Sequence, residues 1–209
     1  MVPTVSGGDY VLVNRLTYGL NVPWLQFDRG FSLSAISAFE LFLWSSPSRG
    51  DVILFENPER HGTDYIKRVV GRPGDTIELV SGRLYVNGIE QKRGKEIALS
   101  WQDDSCHTVS GIMQSEGSRN NRYWVANIDG RATNENFGPM TVPAESLFVL
   151  GDNRDESADS RVWGVVPRHA VRGRVLATWL STDECLGTVD FTWQPVKEPS
   201  LVFSELLRQ

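Results

Sequence analysis

Leu147-Phe148-Val149-Leu150 feeds Gly151-Asp152-Asn153-Arg154-Asp155-Glu156-Ser157-Ala158-Asp159-Ser160-Arg161-Val162-Trp163-Gly164, and Val165-Val166-Pro167 leaves it. An apolar run that stops at a dense polar loop and resumes in apolar surroundings reads as a strand entering a core. Within the loop the carboxylates of Asp152, Asp155 and Asp159 alternate with the guanidinium groups of Arg154 and Arg161, so charge-assisted hydrogen bonds can hold its shape. Asn153, Ser157 and Ser160 can bond back to their own backbone, as turn residues do. Taken alone, the loop is compatible with a salt-bridged surface turn. It does not read as a calcium loop. Counted from Asp155, the glycine position holds Ser160 and the final glutamate position holds Val166.

Strand signals spread outward from this loop. Tyr10 to Asn14, Val52 to Phe55 and Asp64 to Val70 are short runs rich in apolar residues, bounded by the turns Ser6-Gly7-Gly8-Asp9, Pro47 to Asp51 and Gly71 to Asp75. Thr76 to Val80, Ser81-Gly82, Arg83 to Val86 and Asn87-Gly88 predict a meander, the Asn-Gly pair being a strong hairpin signal. Lys92 to Met140 is polar, rich in Gly and Asn and irregular, with a strand-like Tyr123-Trp124-Val125. Beyond the loop, Pro167 to Arg172 predicts a helical turn, Gly173 to Ser181 a final strand, and Leu201 to Leu207 a short amphipathic helix. The expected architecture is mainly β and antiparallel. A core of residues 1–91 and 141–209 carries a smaller inserted β subdomain, 92–140.

Composition sets the bounds. With 209 residues and 40% hydrophobic content the chain can bury a sizeable core, as one domain or one domain with an insertion. A net charge of −5 without a Lys/Arg-rich run argues against a nucleic-acid partner. Cys106 and Cys185 match no zinc spacing, and a disulfide between them is possible in an oxidising compartment but does not follow from one pair. His61, His107 and His169 are scattered, so no metal site and no cofactor are expected. No segment reaches the ~20 apolar residues of a membrane-crossing helix. Between Leu20 and Ser46, the residues Phe31, Ile36, Phe39, Leu41, Phe42 and Trp44 form an aromatic-rich patch, read either as core packing or as a surface that dips among lipid headgroups.

Lys67 is the candidate for chemistry. In a strand, Tyr65, Lys67 and Val69 share one face while Ile66, Arg68 and Val70 take the other. An ammonium between an aromatic and a β-branched residue loses hydration, which lowers its pKa toward a neutral amine. A neutral amine is what a general base for a hydroxyl must be. A lone strand lysine is also read as a snorkelling surface residue. Arg68, on the other face, would stay charged and could pair with a loop carboxylate.

Three segments, in order, decide between these readings. Met1-Val2-Pro3-Thr4-Val5 with Gly8-Asp9 and Tyr18-Gly19, Arg49-Gly50-Asp51-Val52 with Ile66-Lys67-Arg68-Val69-Val70-Gly71-Arg72-Pro73-Gly74-Asp75, and the loop Gly151 to Gly164 resemble the signature segments of the bacterial type I signal peptidases. These are membrane-bound serine endopeptidases with a Ser-Lys dyad. The resemblance implies an antiparallel β catalytic core of the signal peptidase/LexA-like type. It implies Lys67 as general base and Ser157 as the hydroxyl that orients it. Asp159 and Arg161 would support that geometry, with Asp152 and Arg154 structural. Met1, Val5, Asp64, Tyr65 and Ile66 fall at substrate-binding positions, with shallow apolar pockets suited to Ala-X-Ala sequences and the peptide added as a strand along the edge that includes Asp64 and Tyr65.

The implied partners are the signal peptides of exported pre-proteins and the membrane surface, with the catalytic domain on the outer face of the cytoplasmic membrane. One departure is specific. The family's nucleophilic serine falls immediately before Met1, so the chain as written is expected to be inactive. Ser6 lies on the wrong side of the Pro3-Thr4 turn to replace it and reads as a turn residue. Two accounts stay open: a start upstream, with serine and anchor, or a homologue that binds exported peptides without cutting them. A conjugation-pilus peptidase or a self-cleaving repressor-type protease shares the dyad. The Lys92 to Met140 insertion and the complete loop weigh against both.

Overall fold

The computed structural model describes residues 1–19, 45–103, 105–118, 121–128, 136–183, 185, 187–191 and 193–196. The strands in chain order are β1 (Asp9–Asn14), β2 (Val52–Glu56), β3 (Asp64–Gly71), β4 (Thr76–Val80), β5 (Arg83–Val86), β6 (Ile89–Glu90), β7 (Ile97–Gln102) and β8 (Thr108–Ser118). After them come β9 (Asn121–Ile128), β10 (Phe137–Thr141), β11 (Ser146–Leu150), the helical turn α1 (Ser160–Trp163), β12 (Val166–Pro167), β13 (Val171–Asp183), β14 (Thr188–Asp190) and β15 (Gln194–Pro195). The fold is mainly antiparallel β, as the strand periodicity leads one to expect.

Three sheets result. The first runs β1-β13-β2-β3-β11-β12, with β14 and β15 also pairing on β13; the second runs β10-β4-β5-β6; the third is β7-β8-β9. In β3 the period of two splits the strand between two cores. Val69 packs with Ile53, Phe55 and Val149, with Tyr65 against them, whereas Val70 packs with Phe148 and Leu150 of β11 and with Ile77 and Leu84 of the second sheet. Each fully buried side chain of this size contributes about 1.5–3 kcal/mol over its exposed state. Both cores therefore clamp the strand that carries Lys67.

Two readings need correction. The Gly- and Asn-rich stretch after Lys92 is regular, since β7, β8 and β9 pair along their lengths. Its glycines serve pairing instead of breaking it: a Cβ on Gly117 would overlap the carbonyl oxygen of Asn121 on the partner strand, and one on Gly111 that of Asn127. The strand from Gly173 is also longer than expected and not final. It spans Val171–Asp183, and its polar end pairs with β14, Ser181 opposite Asp190. The aromatic patch at residues 20–44 and the C-terminal helix at 201–207 fall outside the described residues.

The third sheet docks on the polar loop through its backbone. Ala126 N–H donates to Asp152 O at 2.8 Å, and Arg154 N–H donates to Ala126 O at 2.9 Å. Cys106, between β7 and β8, is disulfide-bonded to Cys185, just after β13. No helix among the described residues is long and apolar enough to cross a membrane.

Candidate active site

The loop after β11 is built around its own carboxylates. Asp159 is fully buried and caps α1, accepting from Arg161 N–H at 3.2 Å; its other oxygen accepts from Gly151 N–H at 3.0 Å. Arg161 closes on it through Nε at 2.9 Å and Nη2 at 2.8 Å, and Nη2 also donates to Arg154 O at 2.7 Å. The loop thus returns Ser157 to the end of β11.

A layer of buried ion pairs lies alongside. Arg68, on the opposite face of β3 from Lys67, donates to Asp152 through Nε at 2.8 Å and Nη2 at 2.7 Å, and through Nη1 to Gly50 O at 2.8 Å. Thr4 donates its hydroxyl to the same Asp152 carboxylate, which joins the N-terminal segment to the loop. Arg154 donates bidentately to Glu116 of β8, at 2.8 and 2.5 Å, and Tyr123 hydroxyl donates to Glu116 at 3.2 Å. The Tyr123 ring sits 4.4 Å from the Arg68 guanidinium. Removing one partner of such a buried pair strands a charge, so the layer fixes the register of β3, β8 and the loop.

Lys67 stands at the edge of this layer, half-buried. Its Nζ donates to Ser157 Oγ at 2.9 Å, and the Tyr65 ring centroid is 6.0 Å away. Burial holds the Lys67 pKa below the ordinary lysine value; the charges of Asp159 and Asp152 oppose that, and Arg161 adds to it. Gly151 lies directly under the pair. A Cβ there would overlap Ser157 Oγ and stand 3.4 Å from Lys67 Nζ. An amine drawn toward its neutral form and oriented by a hydroxyl can take a proton from a nearby nucleophile.

A cleft of about 190 Å3 opens at this pair. Met1, Val2 and Gly7 line it with Lys67, Gly151 and Ser157, and so do Trp101, Gln102 and Asp103 from the end of β7 and Asn153 and Glu156 from the loop. Of the residues expected at the site, Met1, Lys67 and Ser157 meet here, while Asp152, Arg154, Asp159 and Arg161 lie buried behind it. Val5 is 8% exposed and does not line the cleft. Ser6 sits in an exposed turn, its N–H donating to Asp9 at 2.8 Å.

Asp64, Tyr65 and Ile66 also stand outside the cleft, on the first half of β3. That half pairs with β2, but on the β11 side the pairing begins at Arg68, opposite Leu150, so Asp64 to Lys67 have no strand partner on that side among the described residues. Glu116, Trp101, Asn153 and Glu156 escaped the sequence reading. Nothing local marks Glu116, whose partner Arg154 is 38 residues away in the loop after β11. A larger cleft of about 410 Å3, lined by Glu56, His61, His169 and Arg172 among others, excludes Lys67. Its Glu56 is held down at about 2 by the Gly62 N–H and Arg172, a permanent anion ill suited to proton transfer near neutrality.

The antiparallel β core thus presents a desolvated lysine beside a serine hydroxyl, an arrangement that can accept a proton from a hydroxyl. A model of the family described as "Signal peptidase, peptidase S26" matches residues 1–180, and the chain belongs to that family. It is 31% identical to a signal peptidase I of Buchnera aphidicola, over 86% of this chain and 66% of that protein. It is 32% identical to a signal peptidase I of Pseudomonas aeruginosa, over 87% and 62%. The chain thus spans just under two thirds of the length of these curated relatives. A signal peptidase I structure from Enterococcus faecalis is 29% identical over 62% of this chain and 97% of that one, with a TM-score of 0.37.

Proposed function

We propose that this chain is the catalytic part of a signal peptidase I, a serine endopeptidase that removes signal peptides from exported pre-proteins after small residues of the Ala-X-Ala kind. The observation that carries the reading is the 2.9 Å approach of Lys67 Nζ to Ser157 Oγ at the mouth of a cleft that Met1 also lines. A residue joined ahead of Met1 would enter at this cleft, and a serine in that position would be the nucleophile. Its oxygen attacks the scissile carbonyl carbon while Lys67 takes its proton. When the C–N bond breaks, the ammonium returns that proton to the departing amine. A water then gives a proton to Lys67 while its oxygen attacks the acyl carbon; when the ester C–O bond breaks, the ammonium returns that proton to the serine oxygen, which restores serine and neutral amine.

Ser157 orients the amine, Asp159 and Arg161 hold Ser157's loop, and Asp152 and Arg154 anchor it to β3 and β8. Asp64, Tyr65 and Ile66 offer the peptide a strand edge with no partner on the β11 side among the described residues, with Met1 packed against the same cluster as Ile66, and buried Val5 is the remaining substrate-side position. Residues 1–91 and 141–209 serve as the catalytic core and 92–140 as an insertion; the separate β7-β8-β9 sheet supports this division, although β10 (Phe137–Thr141) pairs with β4 on the core side of it. A location on the outer face of the cytoplasmic membrane fits two features. One is the disulfide, which persists in oxidising compartments. The other is the exposed group Tyr10, Trp179, Phe191 and Trp193, with Leu12, around β1, β13 and β14, since aromatic side chains are favoured among lipid headgroups.

The test uses the protein in a form that includes a serine directly before Met1. Lys67→Ala should lower cleavage of a signal-peptide substrate by about 10²–10⁴-fold while the circular dichroism spectrum is retained. Undiminished cleavage by that variant would end the assignment of the base. A homologue that holds peptides without cutting them would bind the same substrate in both forms and cleave it in neither.

A further inference from the structure

The cleft beside Lys67 has a wall that the proposed chemistry does not use. Trp101, Gln102 and Asp103 belong to the third sheet, not to the strand or loop that carries Lys67 and Ser157, yet they line the same space. We propose that this cleft is the subsite for the peptide segment that follows the scissile bond, and that it selects neutral or cationic side chains there over anionic ones. The inference rests on Lys67 as the base and on β3 as the strand edge for the segment before the bond.

A peptide held at a reacting centre has two arms. One has the unpaired edge Asp64 to Lys67, and none of Asp64, Tyr65 or Ile66 lines the cleft. Edge and cleft share only Lys67, so a chain crossing the amine leaves the edge and enters the cleft. With the small side chains before the bond on β3, the residues after it occupy the Trp101 side.

The wall is held in place before any peptide arrives. Asp103 Oδ1 accepts from the N–H groups of Ser105 and His107, both at 2.9 Å, and Cys106 N–H donates to Asp103 O at 2.9 Å. The disulfide to Cys185 then ties this turn to the chain just after β13. A wall already ordered loses little entropy on binding.

Its chemistry is that of a peptide site. Trp101 offers an aromatic surface of the kind that anchors interfaces. Asn153 is nine-tenths buried, and its Oδ1 has no hydrogen-bond partner among the described residues, an acceptor that a peptide N–H would satisfy. Asp103 and Glu156 contribute carboxylates, whereas the one basic side chain among the described lining residues is Lys67. Backbone N–H groups of His107 and Ser105 keep the Asp103 pKa below the usual carboxylate value, so it is charged at neutral pH; the exposed His107 ring lies 3.7 Å from it. An anionic peptide side chain entering here meets like charge.

Calorimetry on the chain itself tests the proposal with three peptides: one ending at Ala-X-Ala, and two continuing three residues with either Lys or Glu after the bond. The Lys-extended peptide should bind about fivefold or more tighter than the truncated one, and Trp101→Ala should abolish that gain. Lys should be preferred to Glu by about two- to fivefold per carboxylate, and Asp103→Asn with Glu156→Gln should collapse the preference. Asn at 103 keeps the oxygen that accepts the two N–H bonds, so the turn survives the substitution. Equal affinities for truncated and extended peptides, or a Lys preference that persists in the double variant, would remove the subsite and leave the β3 edge standing. Failure of every peptide to bind would overturn the edge and the subsite together.

Discussion

Replacing Gly151 with alanine isolates the contact on which the proposed chemistry turns. The added Cβ would overlap Ser157 Oγ and stand 3.4 Å from Lys67 Nζ. Gly151 is not among the residues with positive φ, so the backbone itself accepts an alanine. The strain therefore falls on Ser157, whose Oγ and Cβ would stand 2.0 and 2.5 Å from the new Cβ, so its hydroxyl must retreat by about 1.4 Å to reach ordinary contact at 3.4 Å, and the 2.9 Å bond to Lys67 goes with it. A misplacement of about 1 Å near reacting groups costs on the order of 10²-fold, or about 2.7 kcal/mol of transition-state stabilisation. Overpacking of this kind costs about 1–3 kcal/mol of stability, which a domain of this size shows as a few degrees of melting temperature. The assay is kcat on a signal-peptide substrate, in the form with a serine before Met1, read beside a thermal melt. Because Gly151→Ala and Ser157→Ala act on one hydrogen bond, the double variant should be within about threefold of the slower single variant. Full activity in Gly151→Ala, or multiplicative losses in the double variant, would show that the Lys67–Ser157 bond does not position the base.

Two further outcomes follow from the same geometry. Activity needs the neutral amine, and burial lowers the Lys67 pKa, so the acid limb of log kcat/KM against pH should fall below the ordinary lysine value of 10.5, with activity lost as pH drops through the lysine's own pKa; a limb at or above 10.5 would contradict the desolvated site. Glu116→Gln removes the fully buried anion shared by Arg154 and Arg93 and should cost about 3–5 kcal/mol in urea unfolding, against less than about 0.5 kcal/mol for exposed Glu145→Gln.

What the sequence disclosed depended on how local the physical signal was. β3 and its turn were legible because a period of two and a Gly-Asp turn are written in consecutive residues, and the same period placed Lys67 and Arg68 on opposite faces. The loop's alternating charges were visible, but their partners were not: Asp152 finds Arg68 at a separation of 84 residues, and Arg154 finds Glu116 at 38. Glycines misled the reading of β8, since in sequence a glycine that admits a neighbouring backbone is indistinguishable from one that ends a strand. The cleft wall at Trp101 was invisible for a related reason. It is created by docking the third sheet on the loop through Ala126, a backbone contact without a side-chain signature.

The layer of ion pairs explains how a lysine surrounded by charge can still be drawn toward neutrality. Asp152 and Asp159 each favour the ammonium, and unpaired at this proximity either would hold a proton on Nζ. Each is matched: Asp152 bidentately by Arg68 and Asp159 bidentately by Arg161, and the Arg161 charge opposes the two aspartates at the amine. Desolvation, the largest contribution, decides the direction. Pairing also lets the polar loop be rigid without apolar packing. Arg161, which holds the loop that carries Ser157, also lowers the pKa of the amine, so in the proposed mechanism one residue serves both positioning and the base's protonation state.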